Sequence, residues 1–75
     1  MSTAATVFKH TDPDDYIKVV NKTWWDVVDV MVYRDLPSKK AAQRFMERYQ
    51  VKRSPANNRL TRREWVDEAL QGGVK

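Results

Sequence analysis

Apolar residues recur at helical spacing in four stretches of this chain, and each stretch opens near a residue suited to capping a helix. The first is Thr11-Asp12-Pro13-Asp14-Asp15 followed by Tyr16, Ile17 and Val20. Asp12 fits the cap, Pro13 the first helical position, and the next two acids the positive end of the dipole. This predicts a short helix over about 13–21. In the second stretch Trp24, Val27, Val28 and Met31 fall at i, i+3, i+4, i+7, the stripe of a buried helix face. A start at Thr23 puts Asp26 in a capping position, and Asp26 and Asp29 lie off the stripe. The expected helix covers 24–33, either separate from the first or joined to it through Asn21-Lys22-Thr23. The same segment is rich in β-branched residues, so Val28-Val30-Val32 as one face of a strand is the competing reading. Pro37 pushes Leu36 out of helical geometry and closes the segment.

Ser38 is placed to cap a third helix, about 39–50, with Ala42, Phe45, Met46 and Tyr49 inside. Lys40, Arg44, Glu47 and Arg48 fall largely outside. The connector Lys52-Arg53-Ser54-Pro55-Ala56-Asn57-Asn58-Arg59 has turn composition and reads as an exposed basic loop. Thr61-Arg62-Arg63-Glu64 has the form of a capping box, with Leu60 and Trp65 as its hydrophobic staple. Trp65, Val66, Ala69 and Leu70 give the last helix its apolar side, and Gly72-Gly73 stops it.

Together these elements predict a small all-α domain of three to four short helices over 12–71. Its expected core is Trp24, Val28, Met31, Phe45, Met46, Trp65 and Leu70. A strand at 24–33 would make the domain α+β instead. Residues 1–11 are expected to form a loose arm docked by Phe8, and 72–75 a disordered tail.

At 75 residues the chain holds one domain, at a size where a single core gives marginal stability. It has no cysteine and one histidine, His10, which excludes disulfides, thiolate zinc sites and multi-histidine metal sites. The longest apolar run, Val30-Met31-Val32-Tyr33, is far too short to span a bilayer. No signal peptide is recognisable at the N-terminus. The expectation is a cytoplasmic protein with no membrane contact, no cofactor and no small-molecule substrate, monomeric when free.

Charge is sorted along the chain. Residues 1–35 carry four cations and six acids, a net of −2, and residues 36–75 carry ten cations and four acids, a net of +6. The second half should therefore seek an anionic partner. The candidate anion- or partner-binding residues are Lys52, Arg53, Arg59, Arg62 and Arg63, backed by Lys40 and Arg44. Arg62 and Arg63 stand in the first turn of a helix, where cations oppose the dipole by roughly 0.3–1 kcal/mol each. A bound anion would reverse that penalty. The plain alternative is a solvated loop in which Arg63 pairs with Asp67 one turn on. A helix-turn-helix is disfavoured, because roughly ten glycine-free residues separate the last two helices.

Asp26 and Asp29 with Trp25 and Tyr33 form a candidate second face for protein contact. Trp25 is expected to point about 100° away from Trp24 on a helix, leaving Trp25 or Tyr33 partly exposed. Exposed aromatics beside arginine have the composition of a binding hot spot. The acids supply no metal set or histidine partner for acid/base work, so an enzyme is not expected.

The compact Trp24-Trp25 helical region followed by the basic Lys52-Arg53-Ser54-Pro55 segment resembles small phage-encoded regulators of host transcription. The similarity is to the RNA-polymerase-binding antitermination regulators of Xanthomonas lytic phages. The resemblance implies binding to host RNA polymerase, displacement of the promoter-recognition subunit and read-through of terminators. The alternative is a DNA- or RNA-binding helical domain using the second-half basic cluster.

Overall fold

In the computed structural model, residues 8–72 form an all-helical domain of four short helices. Residues 1–7 of the expected arm and 73–75 of the expected tail lie outside the described residues. The helices are α1 (Pro13–Val20), α2 (Val27–Tyr33), α3 (Lys39–Arg48) and α4 (Arg63–Gly72). Among the described residues the only strand-like feature is one antiparallel bridge between Trp25 and Thr61. Gly72 is the last residue of α4 rather than the first of a tail.

Three of the starts follow from side chains that satisfy orphan backbone N–H groups. The Asp12 carboxylate accepts from Asp14 N–H (2.8 Å), and the Ser38 hydroxyl accepts from Ala41 N–H (3.1 Å). At α2 the box is built from two acids. Asp26 accepts from Asp29 N–H and Asp29 accepts from Asp26 N–H, each at 3.1 Å. The cap is therefore Asp26 itself and the helix begins at Val27, later than the expected start at Thr23.

That displacement changes which tryptophan is inside. The chain bends at 23–24, and Trp25 exchanges both backbone bonds with Thr61 (2.9 and 2.7 Å). Trp25 is fully buried and donates its indole N–H to the Val19 carbonyl (2.9 Å), while Trp24 is 41% exposed. The expected core shifts with it. Val19, Trp25, Val30, Ala42, Met46, Val51 and Val66 are buried, and Met31, Phe45, Trp65 and Leu70 are half-buried against them. Val28 and Ile17 are exposed, so neither joins the core.

The first helix is tied on by rings. Phe8, Tyr16, Tyr33 and Trp25 form a continuous series with centroids 5.1, 5.9 and 4.7 Å apart. Beside it the Asp35 carboxylate accepts from the backbone N–H groups of Lys9 (2.7 Å) and His10 (2.8 Å). Those bonds, Lys9 first, hold Asp35 below the usual carboxylate range. Residues 8–10 are thus docked by backbone bonds as well as by Phe8.

Two helices end in Schellman motifs without glycine. After α2, Leu36 N–H reaches the Met31 carbonyl (2.9 Å) and Asp35 adopts φ 54°. After α3, Val51 N–H reaches the Met46 carbonyl (3.0 Å) and Gln50 adopts φ 51°. The buried Val51 and Met46 provide the apolar contact that accompanies such a cap. A left-handed residue other than glycine costs roughly 1–2 kcal/mol. Gln50 is exposed and makes no side-chain hydrogen bond among the described residues. Gln50→Gly should therefore raise the unfolding free energy by about 1 kcal/mol, read as a higher urea midpoint at unchanged slope.

Candidate interaction surface

The basic residues singled out in the sequence do not converge. They divide among four places, decided by which element carries each.

Arg62 caps α4 through its backbone, its carbonyl accepting from Trp65 and Val66 N–H (both 3.1 Å). Thr61 does not serve as the cap. It is fully buried, its backbone is taken by the bridge to Trp25, and its hydroxyl donates to the Lys52 carbonyl (2.6 Å). The expected capping box is therefore absent, and Glu64 instead pairs with Arg62 (3.1 Å). The Arg62 guanidinium lies over two indoles, 5.2 Å from the centroid of Trp24 and 5.9 Å from that of Trp65. The two tryptophans meet edge to face at 5.8 Å, and the Lys52 ammonium sits 5.3 Å over Trp65. Arg62 Nε is buried without a hydrogen-bond partner among the described residues, so ring contacts and Glu64 hold the guanidinium. The result is a cluster of Trp24, Trp65, Arg62 and Lys52 with Trp24 open to solvent.

Arg63 goes elsewhere. It lies 5.9 Å over Tyr33 and 3.9 Å from Asp67, whose carboxylate accepts from the Tyr33 hydroxyl (2.8 Å). Burial first, then donation to Asp67, pushes the Tyr33 phenol above its ordinary value and keeps it protonated. Arg62 and Arg63 therefore share no anion site at the start of α4. Their charges are engaged by rings and acids of the fold.

The loop after α3 is ordered by short-range bonds. Ser54 is buried, and its hydroxyl accepts from Ala56 and Asn57 N–H (3.2 and 3.4 Å). Asn57 accepts from Arg59 N–H (3.0 Å), and Ser54 N–H donates to the Leu60 carbonyl (2.8 Å). This holds Arg53 and Arg59 beside an open groove of about 700 Å³ that runs past α2 and α3. Val27, Val28 and Met46 give the groove apolar lining, and both charge signs lie along it: Lys39, Arg53 and Arg59 with Asp26 and Glu47.

Lys40 and Arg44, the remaining candidates, stand exposed on α3 and line none of this groove.

The expected second face of Asp26, Asp29, Trp25 and Tyr33 is not a surface. Trp25 is fully buried, Tyr33 is half-buried in the ring series, and Asp29 is 6% exposed. Asp29 accepts from the Lys22 ammonium (2.8 Å) and from Asp26 N–H. That hydrogen bond raises the Lys22 pKa above its ordinary value. Of the four residues, Asp26 alone is exposed and lines the groove.

The feature sequence reasoning missed is Trp24 as the open member of the pair. The available signal was Asp26-Val-Val-Asp29, a box of two acids that sets the helix start one residue after Asp26.

No group of three or more metal-binding side chains occurs among the described residues, and none of their helices is long and apolar enough to cross a membrane. No protein-family model, curated protein or solved structure matches the chain.

Proposed function

We propose that this domain is a non-enzymatic transcription regulator that binds RNA polymerase, using the groove past α2 and α3 together with the Trp24 cluster. The observation that carries a protein partner is the mixed sign of the groove. Asp26 and Glu47 stand among Lys39, Arg53 and Arg59, and carboxylates at those positions repel a phosphate backbone while complementing a protein surface of alternating charge. Val27, Val28 and Met46 offer apolar area to the same partner. The Trp24 cluster adjoins the groove through the chain itself, since Trp24 precedes Asp26 by two residues and Lys52 precedes Arg53. Tryptophan and arginine at such a position are the residue types that dominate binding energy. The polymerase as the partner comes from the resemblance to phage-encoded regulators, which also supplies the proposed effect on initiation and termination.

Capture of RNA polymerase from a bacterial lysate tests the reading, with nuclease added to half of the sample. The immobilised domain should retain the polymerase equally in both halves. Trp24→Ala combined with Arg53→Glu should weaken capture at least tenfold while the helical far-UV signal is kept. Absence of polymerase, or its loss after nuclease, would sink the proposal.

A further inference from the structure

The side of α3 that carries Lys40 and Arg44 has a different character from the groove. Lys40, Arg44 and Arg48 follow one another at i, i+4, i+8, and all three are exposed. Ala41, Phe45 and Tyr49 repeat the same spacing one position on, as a parallel row. Phe45 and Tyr49 lie 4.8 Å apart, tilted by 41°. With Ala41, Arg44 and Arg48 they line a shallow depression of about 350 Å³. From the end of α2 the Arg34 guanidinium reaches over Phe45 at 6.0 Å. The aromatic notch is thus flanked by cations on both sides, and no acid lines it.

None of Arg34, Lys40, Arg44 and Arg48 forms an ion pair among the described residues. Like charges one turn apart on a helix repel, so the row of three costs the free domain a few tenths of a kcal/mol for each pair. Lys40 also stands in the first turn of α3, against the dipole. An anionic partner converts each of these costs into attraction. The groove side of the same helix shows the contrast, because an acid, Glu47, lines it as well as Lys39.

We infer that this side of α3 binds single-stranded RNA, with one base seated in the Phe45–Tyr49 notch and successive phosphates on Lys40, Arg44 and Arg48. Cations one turn apart along a helix are spaced by about 6 Å, comparable with successive phosphates on an unstacked strand. Aromatic rings and guanidinium planes are the groups on which splayed bases stack. A duplex keeps its bases stacked inside and leaves the notch unused. The Tyr49 hydroxyl has no hydrogen-bond partner among the described residues and can serve a ribose 2′-hydroxyl, which favours RNA over DNA. This inference goes beyond the polymerase reading and uses none of the groove residues.

The test is fluorescence anisotropy of a labelled oligouridylate of about twelve nucleotides, within the usual site sizes, titrated with the whole domain across a salt series. Three phosphate contacts give a log–log salt slope of about −2. Arg44→Glu with Arg48→Glu, both exposed, should lower affinity at least tenfold and bring the slope to about −0.7. Tyr49→Leu should weaken binding about tenfold at unchanged slope, with far-UV dichroism recorded on the same sample to establish that it is folded. Val28→Ser in the groove should bind as the wild type does. Absence of binding at about 50 mM salt, or indifference to the double charge reversal, would overturn the inference. So would equal affinity for oligothymidylate or for duplex RNA, or a loss caused by Val28→Ser.

Discussion

Trp25→Ala is expected to unfold the domain or leave it barely folded, at a cost of about 3–5 kcal/mol. A chain of this size has only a few kcal/mol in reserve. Trp25 is fully buried, is packed 4.7 Å from Tyr33, and anchors its indole N–H on the last turn of α1. The substitution opens a cavity beneath the bridge that clamps residue 25 to Thr61, and it leaves the Val19 carbonyl without its donor. Trp24→Ala, one residue away, removes a ring that is 41% exposed and should cost about 1 kcal/mol, from lost contact with Trp65 and Arg62. Urea denaturation followed by far-UV dichroism separates the two. Equal losses at both positions would mean that residues 23–26 continue the helix and that the two rings share the core.

The second large effect is expected at Asp29, where Ala should cost about 2 kcal/mol. Asp29 is 6% exposed and accepts from both Lys22 and the Asp26 N–H. Its loss strips the cap of one partner and leaves that N–H unsatisfied beside the core. The ion pair itself contributes less, because the Lys22 side chain is 50% exposed and solvent screens it. Lys22→Ala should therefore be much milder than Asp29→Ala, and comparable losses would shift the weight from the cap to the ion pair. The pH dependence has a definite sign. Lys22 is raised in the folded state, so its contribution is complete below the ordinary lysine value and fades as pH climbs through the folded one, above about 10.5.

These two positions mark where a linear reading of the chain ran short. The stripe Trp24, Val27, Val28, Met31 was a sound helical pattern, yet it began three residues before the helix does. With Asp26 as the cap, Trp24 drops out of the helix, and packing covers a different side of the remaining turns. Val30 went inside, Val28 went out, and Asp29 was carried to the core edge, where Lys22 meets it. Spacing fixes the angles between residues on a helix whatever its start, so which side is covered was decided by what packs on α2: Val30 and Asp29 lie inward and Val28 outward. The third helix was read more closely, with Ser38 as its cap and Ala42 and Met46 buried. Its cap and its stripe agree on one register.

The candidate site shows the same division. Composition and charge order identified the basic second half, and the residue types at 52–63 were those of a binding surface. Their division could not be read along the line. Arg62 and Arg63 are adjacent in sequence but are drawn apart, one to Trp24 and Trp65 and the other to Tyr33 and Asp67. Those partners come from α2, its approach segment and α4, which meet only after folding.

Local chemistry thus determined the helices, because caps, proline and apolar spacing act within a few residues. It left three or four helices open, with a strand at 24–33 as the rival, and the fold has four with only an isolated bridge among the described residues. Which tryptophan is buried, which acid is desolvated and which cations remain unpaired depend on contacts such as Trp25 with Thr61 and Tyr33 with Asp67, formed across more than thirty residues. Burial and pairing are properties of three-dimensional neighbourhoods, and the energy of a side chain there is set by neighbours that its own segment does not contain.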